Sequence, residues 1–280
     1  MAEAGTDAWA VGEEYERYVG RWSRRVAAKF LHWLGPAPGL AWLDVGCGTG
    51  ALTAAVLEHA APRLVRGVDP SAGFIAHART SVTDPHVVLE VADARALPLA
   101  DAEVDLAVSG LVLNFVPEPA LALSEMRRVA RPGATLAAYV WDYAGKMELM
   151  RYFWDAAAAL DPKALALDEG RRFPLCQPGE LARLFSEAGL TAVETTALDV
   201  PTRFRDFNDY WRPFLGGQGP APGYAMSLAE DQRNALRDRI SAALPHTADG
   251  SIDLIARAWA VRGIVSGGSR MPRVSASVTG

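Results

Sequence analysis

The chain has 280 residues, room for one large domain or for a core with an added lobe, and is long enough to bury a sizeable interior. Half of it is hydrophobic and 22% is charged, which excludes a disordered or low-complexity protein. With 28 basic and 33 acidic residues the net charge is -5, so there is no electrostatic footprint for a phosphate backbone or an anionic membrane, and neither is an expected partner.

The first element expected is an amphipathic helix over residues 13–34. Its apolar stripe is Tyr15, Tyr18, Val19, Trp22, Val26, Phe30 and Leu34, at steps of three and four. A Gly35-Pro36-Ala37-Pro38-Gly39 run ends it, so residues 1–39 read as an N-terminal cap segment. Short apolar runs follow at 40–45, 64–68, 87–91, 104–108 and 134–141, alternating with helical pattern. Strands with little polar alternation, separated by helices, mean a parallel sheet covered on both faces. Ser71 is placed to cap one helix, and Pro119 to open another that stops at Arg131-Pro132-Gly133. The fold class expected is α/β, a doubly wound, mostly parallel sheet, with five βα units in residues 40–141.

Helices are expected next at 146–160 and 178–188, and strands at 190–200 and 251–264. Between those strands lies an insertion, about residues 203–250, with an aromatic cluster (FRDFNDYWRPF), a flexible GGQGPAPG turn and a charged helix at 227–244. The main domain thus spans residues 40–265, and the polar tail, 266–280, is expected to be disordered. Cys47 and Cys176 are too few for a disulfide framework and lack the neighbours of a metal site, so no metal and a reducing, cytoplasmic setting are expected. The acidic N-terminus does not resemble a secretory signal. No run reaches the ~18 uncharged apolar residues of a membrane span.

The chemistry concentrates in Leu43-Asp44-Val45-Gly46-Cys47-Gly48-Thr49-Gly50, at the end of the first strand and the start of a helix. In a doubly wound sheet this is the ligand crevice. Glycines there let the backbone turn and approach a ligand closely, and Cys47 contributes its backbone rather than a nucleophile. Gly46, Gly48 and Ala51 also satisfy the dinucleotide fingerprint, so the loop alone is ambiguous. Asp44 tips the balance, because a carboxylate there repels a pyrophosphate and suits an ammonium group. Asp69 at the end of the second strand is placed for a ribose diol, and Asp93 after the third for an exocyclic amine. Taken singly these acids are turn or cap residues; three at successive strand ends form a joint pattern.

With LDVGCGTG, GVDPSAGFIAHAR, VADARALPLADAEVDLAVS and RRVARPGATLAAYVWD in this order, the chain resembles the class I S-adenosylmethionine-dependent methyltransferases, in the small-molecule branch of the ubiquinone and menaquinone C-methyltransferases. The resemblance spans about residues 15–263. It implies a seven-stranded sheet with an antiparallel last strand, S-adenosylmethionine as cofactor and a small molecule as methyl acceptor. It also implies that Asp44, Gly46, Cys47, Gly48 and Gly50 hold the methionine end, Asp69 the ribose, Pro70 a face of the adenine, and Asp93 with Ala94 its edge. Ser109 to Leu111 would pass beneath the methionine moiety, and Arg21 would reach the cofactor carboxylate.

Methyl transfer by in-line displacement needs alignment and water exclusion more than acid–base chemistry. Asp142, after the fifth strand, is the candidate for orienting the acceptor or taking its proton. Tyr15, Tyr18, Trp22, Asn114, Tyr143, Tyr210 and Trp211 are candidate substrate contacts, the aromatic ones enclosing a planar or apolar molecule. Two other readings stay open here: a methyltransferase-like domain that binds the cofactor without methylating, and, more weakly, an NAD(P)-dependent oxidoreductase using Tyr143 and Lys146.

Overall fold

The apolar runs become the strands of one seven-stranded sheet in the computed structural model of the chain, which describes residues 20–216 and 219–266. β1 (Ala41–Val45), β2 (Leu64–Asp69), β3 (Val87–Val91), β4 (Val104–Gly110) and β5 (Ala130–Trp141) run parallel. β7 (Ile252–Val265) pairs antiparallel with both β5 and β6 (Leu190–Phe204), giving the order β3-β2-β1-β4-β5-β7-β6. The order reverses between β1 and β4, which opens a crevice at their carboxyl ends. β1 is buried along its whole length, and covering on both faces is why it reads as nearly continuous apolar sequence.

Helix α1 (Arg21–Leu34) buries Trp22, Val26, Phe30 and Leu34, as its stripe requires, and closes on Gly35 in the left-handed region. α2 (Ala51–Ala60) follows the glycine loop. α3 (Ala72–Ser81) is capped by Ser71, whose hydroxyl accepts the Phe74 N–H at 3.3 Å. The expected third βα unit has no helix: β3 leads to β4 through a loop, residues 92–103. α4 (Pro119–Val129) pins that loop, its Arg128 donating to the carbonyls of Leu97 and Leu99 and its Glu125 accepting the Leu97 N–H. α4 ends at Val129 as expected, but Arg131-Pro132-Gly133 lies inside β5, beside a register shift, so that strand starts at Ala130 and not at 134.

The second half of the chain packs as expected in outline. α5 (Glu148–Leu160), α6 (Glu169–Arg172) and α7 (Pro178–Glu187) precede β6, and the insertion forms α8 (Phe207–Trp211), α9 (Pro220–Ser227) and α10 (Glu230–Ala243). The predicted flexible turn is partly helix, because Pro220 takes the first position of α9, where its missing N–H has no cost. Most of the insertion's aromatic residues belong to the core. Tyr210, Trp211 and Phe214 are buried with Phe204 and Phe153, and Phe214 stacks on Phe153 at 4.6 Å between ring centres. Tyr210 also donates its hydroxyl to the Leu149 carbonyl at 2.7 Å. Phe214→Ala is expected to cost about 3–5 kcal/mol of stability, read by urea unfolding, while leaving ligand affinity unchanged. Tyr15, Tyr18 and Val19, and the tail beyond Ser266, lie outside the described residues.

Candidate active site

The β1–α2 turn is shaped by three left-handed glycines, Gly46 (φ 74°), Gly48 (φ 53°) and Gly50 (φ 91°). A β-carbon on Gly46 would overlap Val112 Cγ1, so the turn seats against the segment that follows β4. Gly48 has nothing within 4 Å of where a β-carbon would point. The turn is tied to β2: the Gly46 and Cys47 N–H groups donate to the Val68 carbonyl at 2.7 and 3.0 Å, and Gly48 N–H donates to Asp69 Oδ2 at 3.0 Å.

Above it opens a cavity of about 560 Å³, within the ~300–1,000 Å³ of ligand sites. Gly46, Cys47 and Gly48 form one part of its wall, and Asp69, Pro70, Asp93 and Ala94 another. These residues, named from the sequence for one site, line one cavity. Sequence reasoning missed Ser23 on α1, Phe74 on α3, Arg95, and Tyr139 on β5, which also line the cavity. Only Arg95, two residues beyond Asp93, carried a positional signal.

Asp44 lies under the turn and is not on the wall. Its Oδ2 accepts the Thr53 hydroxyl at 2.7 Å, and its Oδ1 is buried with no hydrogen-bond partner. Burial raises its pKa to about 7, against the opposing hydrogen bond from Thr53. Asp69 accepts Ser71 N–H on Oδ1 and Gly48 N–H on Oδ2, which partly offset the upward push of burial. Asp93 is half exposed and forks with Arg95, whose hydrogen bonds hold its pKa down to about 2. Arg95 reaches on to Glu118 at 3.0 Å, linking the β3–β4 loop to the start of α4. Burial pushes the Cys47 thiol well above its ordinary value, consistent with a packing residue and not a nucleophile.

Several expected contacts lie elsewhere. Gly50 turns the chain into α2, its β-carbon position filled by Val82. Ser109 is buried with its hydroxyl unpartnered, off the wall. Asp142 is buried and accepts the Lys146 N–H on Oδ2 at 2.9 Å, while its carbonyl accepts those of Gly145 and Met147; it anchors the turn into α5 and does not reach the cavity. Trp22 packs edge-on to Phe204, and Tyr143 packs against Phe173, whose ring in turn meets Phe115 of the cavity wall; neither Trp22 nor Tyr143 is on the wall itself. Tyr210 and Trp211 are core, as above. Asn114 sits in the one-turn helix Leu113–Phe115, its amide N and O both buried and unpartnered, beside the wall rather than on it. The side chain of Arg21 is outside the described residues.

Residues 43–138, from β1 into β5, match the family model described as a methyltransferase domain. The demethylmenaquinone methyltransferase of Bacillus velezensis is 31% identical over 179 residues, covering 54% of this chain and 71% of that one. The chain belongs to the S-adenosylmethionine-dependent methyltransferases. An uncharacterized 37.1 kDa protein of a Streptomyces fradiae transposon is 37% identical over 116 residues, covering 41% of this chain and 34% of that one. The chain spans about a third to a half of the length of the first curated relatives it matches. The solved phosphoethanolamine N-methyltransferase 2 of Haemonchus contortus, in complex with S-adenosyl-L-methionine, superimposes with TM-score 0.56 at 14% identity, covering 91% of this chain and 57% of that one. That likeness concerns the fold.

The residues present fit S-adenosylmethionine. The left-handed glycine turn leaves open space above Gly48, the unpartnered Asp44 oxygen lacks a donor, and Asp69 faces the cavity. The oxidoreductase alternative falls with the family assignment. Neither of its Tyr143 and Lys146 lines the cavity, and the Tyr143 ring packs against Phe173. Among the described residues there is no cluster able to hold a metal, and no helix long and apolar enough to cross a membrane.

Proposed function

We propose that this chain transfers a methyl group from S-adenosylmethionine to a small, uncharged, apolar or aromatic acceptor. The observation that carries the acceptor class is the division of the cavity wall. Its charged side chains, Asp69, Asp93 and Arg95, stand on the β2–β3 side, whereas Leu111, Val112, Phe115, Val116 and Pro117 after β4 are apolar. A charged acceptor would leave its ion unpaired against that surface, at a cost of several kcal/mol. The cofactor, when bound, supplies an electrophilic methyl on a sulfonium that departs as a neutral thioether.

The chain's residues supply alignment and exclusion of water. Gly46 to Gly48 present backbone to the amino-acid end, with the Asp44 carboxylate beneath as counter-charge to its ammonium. Asp69 retains lone pairs for a ribose diol beyond those used by Gly48 and Ser71. Pro70 and Ala94 flank the space for the base, and Asp93, already bridged to Arg95, shares its carboxylate with the base edge. Val112, pressed on the glycine turn, and Phe115 at the mouth keep the reacting region dry. No base is required where the acceptor is already nucleophilic without ionising, as a neutral amine or an enol-like carbon is.

Titration calorimetry with S-adenosylmethionine, S-adenosylhomocysteine and NADH tests the cofactor, and binding of the first two alone is expected. Asp69→Ala is expected to weaken that binding by about 1.5–3 kcal/mol, the loss of hydrogen bonds to a charged acceptor. Unchanged affinity in this variant removes Asp69 from the site. Acceptors are then screened by mass spectrometry for the gain of one CH₂. A folded protein that binds the cofactor yet methylates no member of a broad panel of neutral aromatic compounds contradicts the proposed acceptor class.

A further inference from the structure

We propose that the phenol of Tyr139 is a positioning group for methyl transfer, its hydroxyl facing the sulfonium methyl of the donor; this rests on the reading of the cavity as a methyl-donor site. Tyr139 lies near the end of β5 and is only 2% exposed, yet it forms part of the cavity wall. Its ring rests on Phe30 of α1, centres 4.7 Å apart, which fixes where the phenol points.

Two features of β4 are fitted to it. Gly110 is its cross-strand partner, and a β-carbon there would lie 2.6 Å from the Tyr139 hydroxyl and 2.8 Å from Cζ. The phenol therefore occupies the space that any other residue at 110 would fill, above the carboxyl end of β4. The next residue, Leu111, adopts φ 62°, a left-handed conformation that a bulky residue takes only when its surroundings impose it. Its N–H donates to the Tyr139 carbonyl at 2.7 Å. A glycine without a side chain, a leucine held out of its preferred conformation and a tyrosine reaching between them form one arrangement. It places a phenol oxygen in the part of the crevice beyond the glycine turn.

Along the wall, the nucleoside-facing residues Asp69 and Ala94 come from the β2–β3 side, the glycine turn follows β1, and Tyr139 with Leu111 stands on the β4–β5 side. The sulfur lies between the ribose and the amino-acid end of the donor, and its methyl projects out of that line toward the remaining, β4–β5 side of the wall, where Leu111 and Tyr139 stand. A sulfonium polarises its methyl C–H bonds, making them weak donors to an oxygen, and S-adenosylhomocysteine has neither the charge nor the methyl. A hydroxyl in this role discriminates between the two ligands. A residue that only shapes the pocket treats them alike.

The test is calorimetric titration of wild type and Tyr139→Phe with S-adenosylmethionine and S-adenosylhomocysteine, joined to the NMR methyl resonance of bound [methyl-¹³C]S-adenosylmethionine. The phenylalanine keeps the ring against Phe30. The variant is expected to lose about three- to fivefold in affinity for S-adenosylmethionine and less than twofold for S-adenosylhomocysteine, with the bound methyl resonance displaced from its wild-type position. Equal losses for both ligands, or no loss and an unmoved resonance, overturn the role of Tyr139. Failure of the wild type to bind either ligand overturns the donor-site reading itself, and is distinguished by the wild-type titrations alone.

Discussion

Gly46→Ala is expected to lower stability by roughly 2–5 kcal/mol and to abolish measurable cofactor binding. Two costs add. The left-handed backbone at φ 74° costs an L-residue about 1–2 kcal/mol, and forcing a methyl into the packed Val112 side chain costs about 1–3 kcal/mol. Differential scanning fluorimetry should show the melting temperature falling by roughly 5–15 °C. Because the overlap is with a single side chain, Gly46→Ala with Val112→Ala should be less destabilised than the sum of the two single variants, a coupling expected only of residues in contact. Strict additivity would show that the turn escapes Val112 by another route.

Asp44→Asn is expected to move stability and affinity in opposite directions. Asp44 has a folded pKa raised to about 7 from 3.8, so the native state holds this proton more tightly than the unfolded chain does. The stability associated with that proton is present in full below pH 4 and is lost as pH rises through 7. Asparagine keeps an oxygen for the Thr53 hydroxyl and carries no charge to bury. At pH 8 the variant should therefore be more stable, by up to about 4 kcal/mol, the full cost of the raised pKa. Below pH 4 the two proteins should unfold almost together. Affinity for the ammonium-bearing cofactor should fall in the variant at pH 8. In wild type it should weaken as pH drops below 7, where binding must first expel the proton, and in Asp44→Asn that dependence should flatten. A variant that gains no stability at pH 8 shows that the carboxylate is not carrying its burial cost alone.

Much of the architecture was legible because its signals are local. The runs that became β1 to β5 are apolar on both faces, Ser71 and Pro119 announce helix starts, and the glycine turn marks the crevice without reference to anything distant. What sequence reasoning misplaced depends on partners far along the chain. Residues 92–103 carry helical composition but are held as a loop by Arg128 and Glu125, which lie on the next helix. The aromatic insertion looks like a lid until Phe153 and the Leu149 carbonyl are seen to receive Phe214 and Tyr210. Asp142 has a catalytic position in the chain order and a turn-anchoring position in space. Tyr139 was hidden for the opposite reason. Inside a buried strand nothing in the local pattern separates it from its core neighbours, and only its pairing with Gly110 shows where the hydroxyl points.

The place of β7 in the sheet bears on how this protein is made. β5 has β4 on one side as soon as both are synthesised, but its other neighbour is the last strand described, which arrives only after α5, β6 and the whole aromatic insertion. Until then a long strand with a buried, apolar face presents an open hydrogen-bonding edge, the geometry that recruits strands from other chains. A nascent chain stalled between β5 and β7 is thus the species most exposed to aggregation and to chaperone capture. Slow translation of the insertion would lengthen that exposure without altering a single contact of the finished fold.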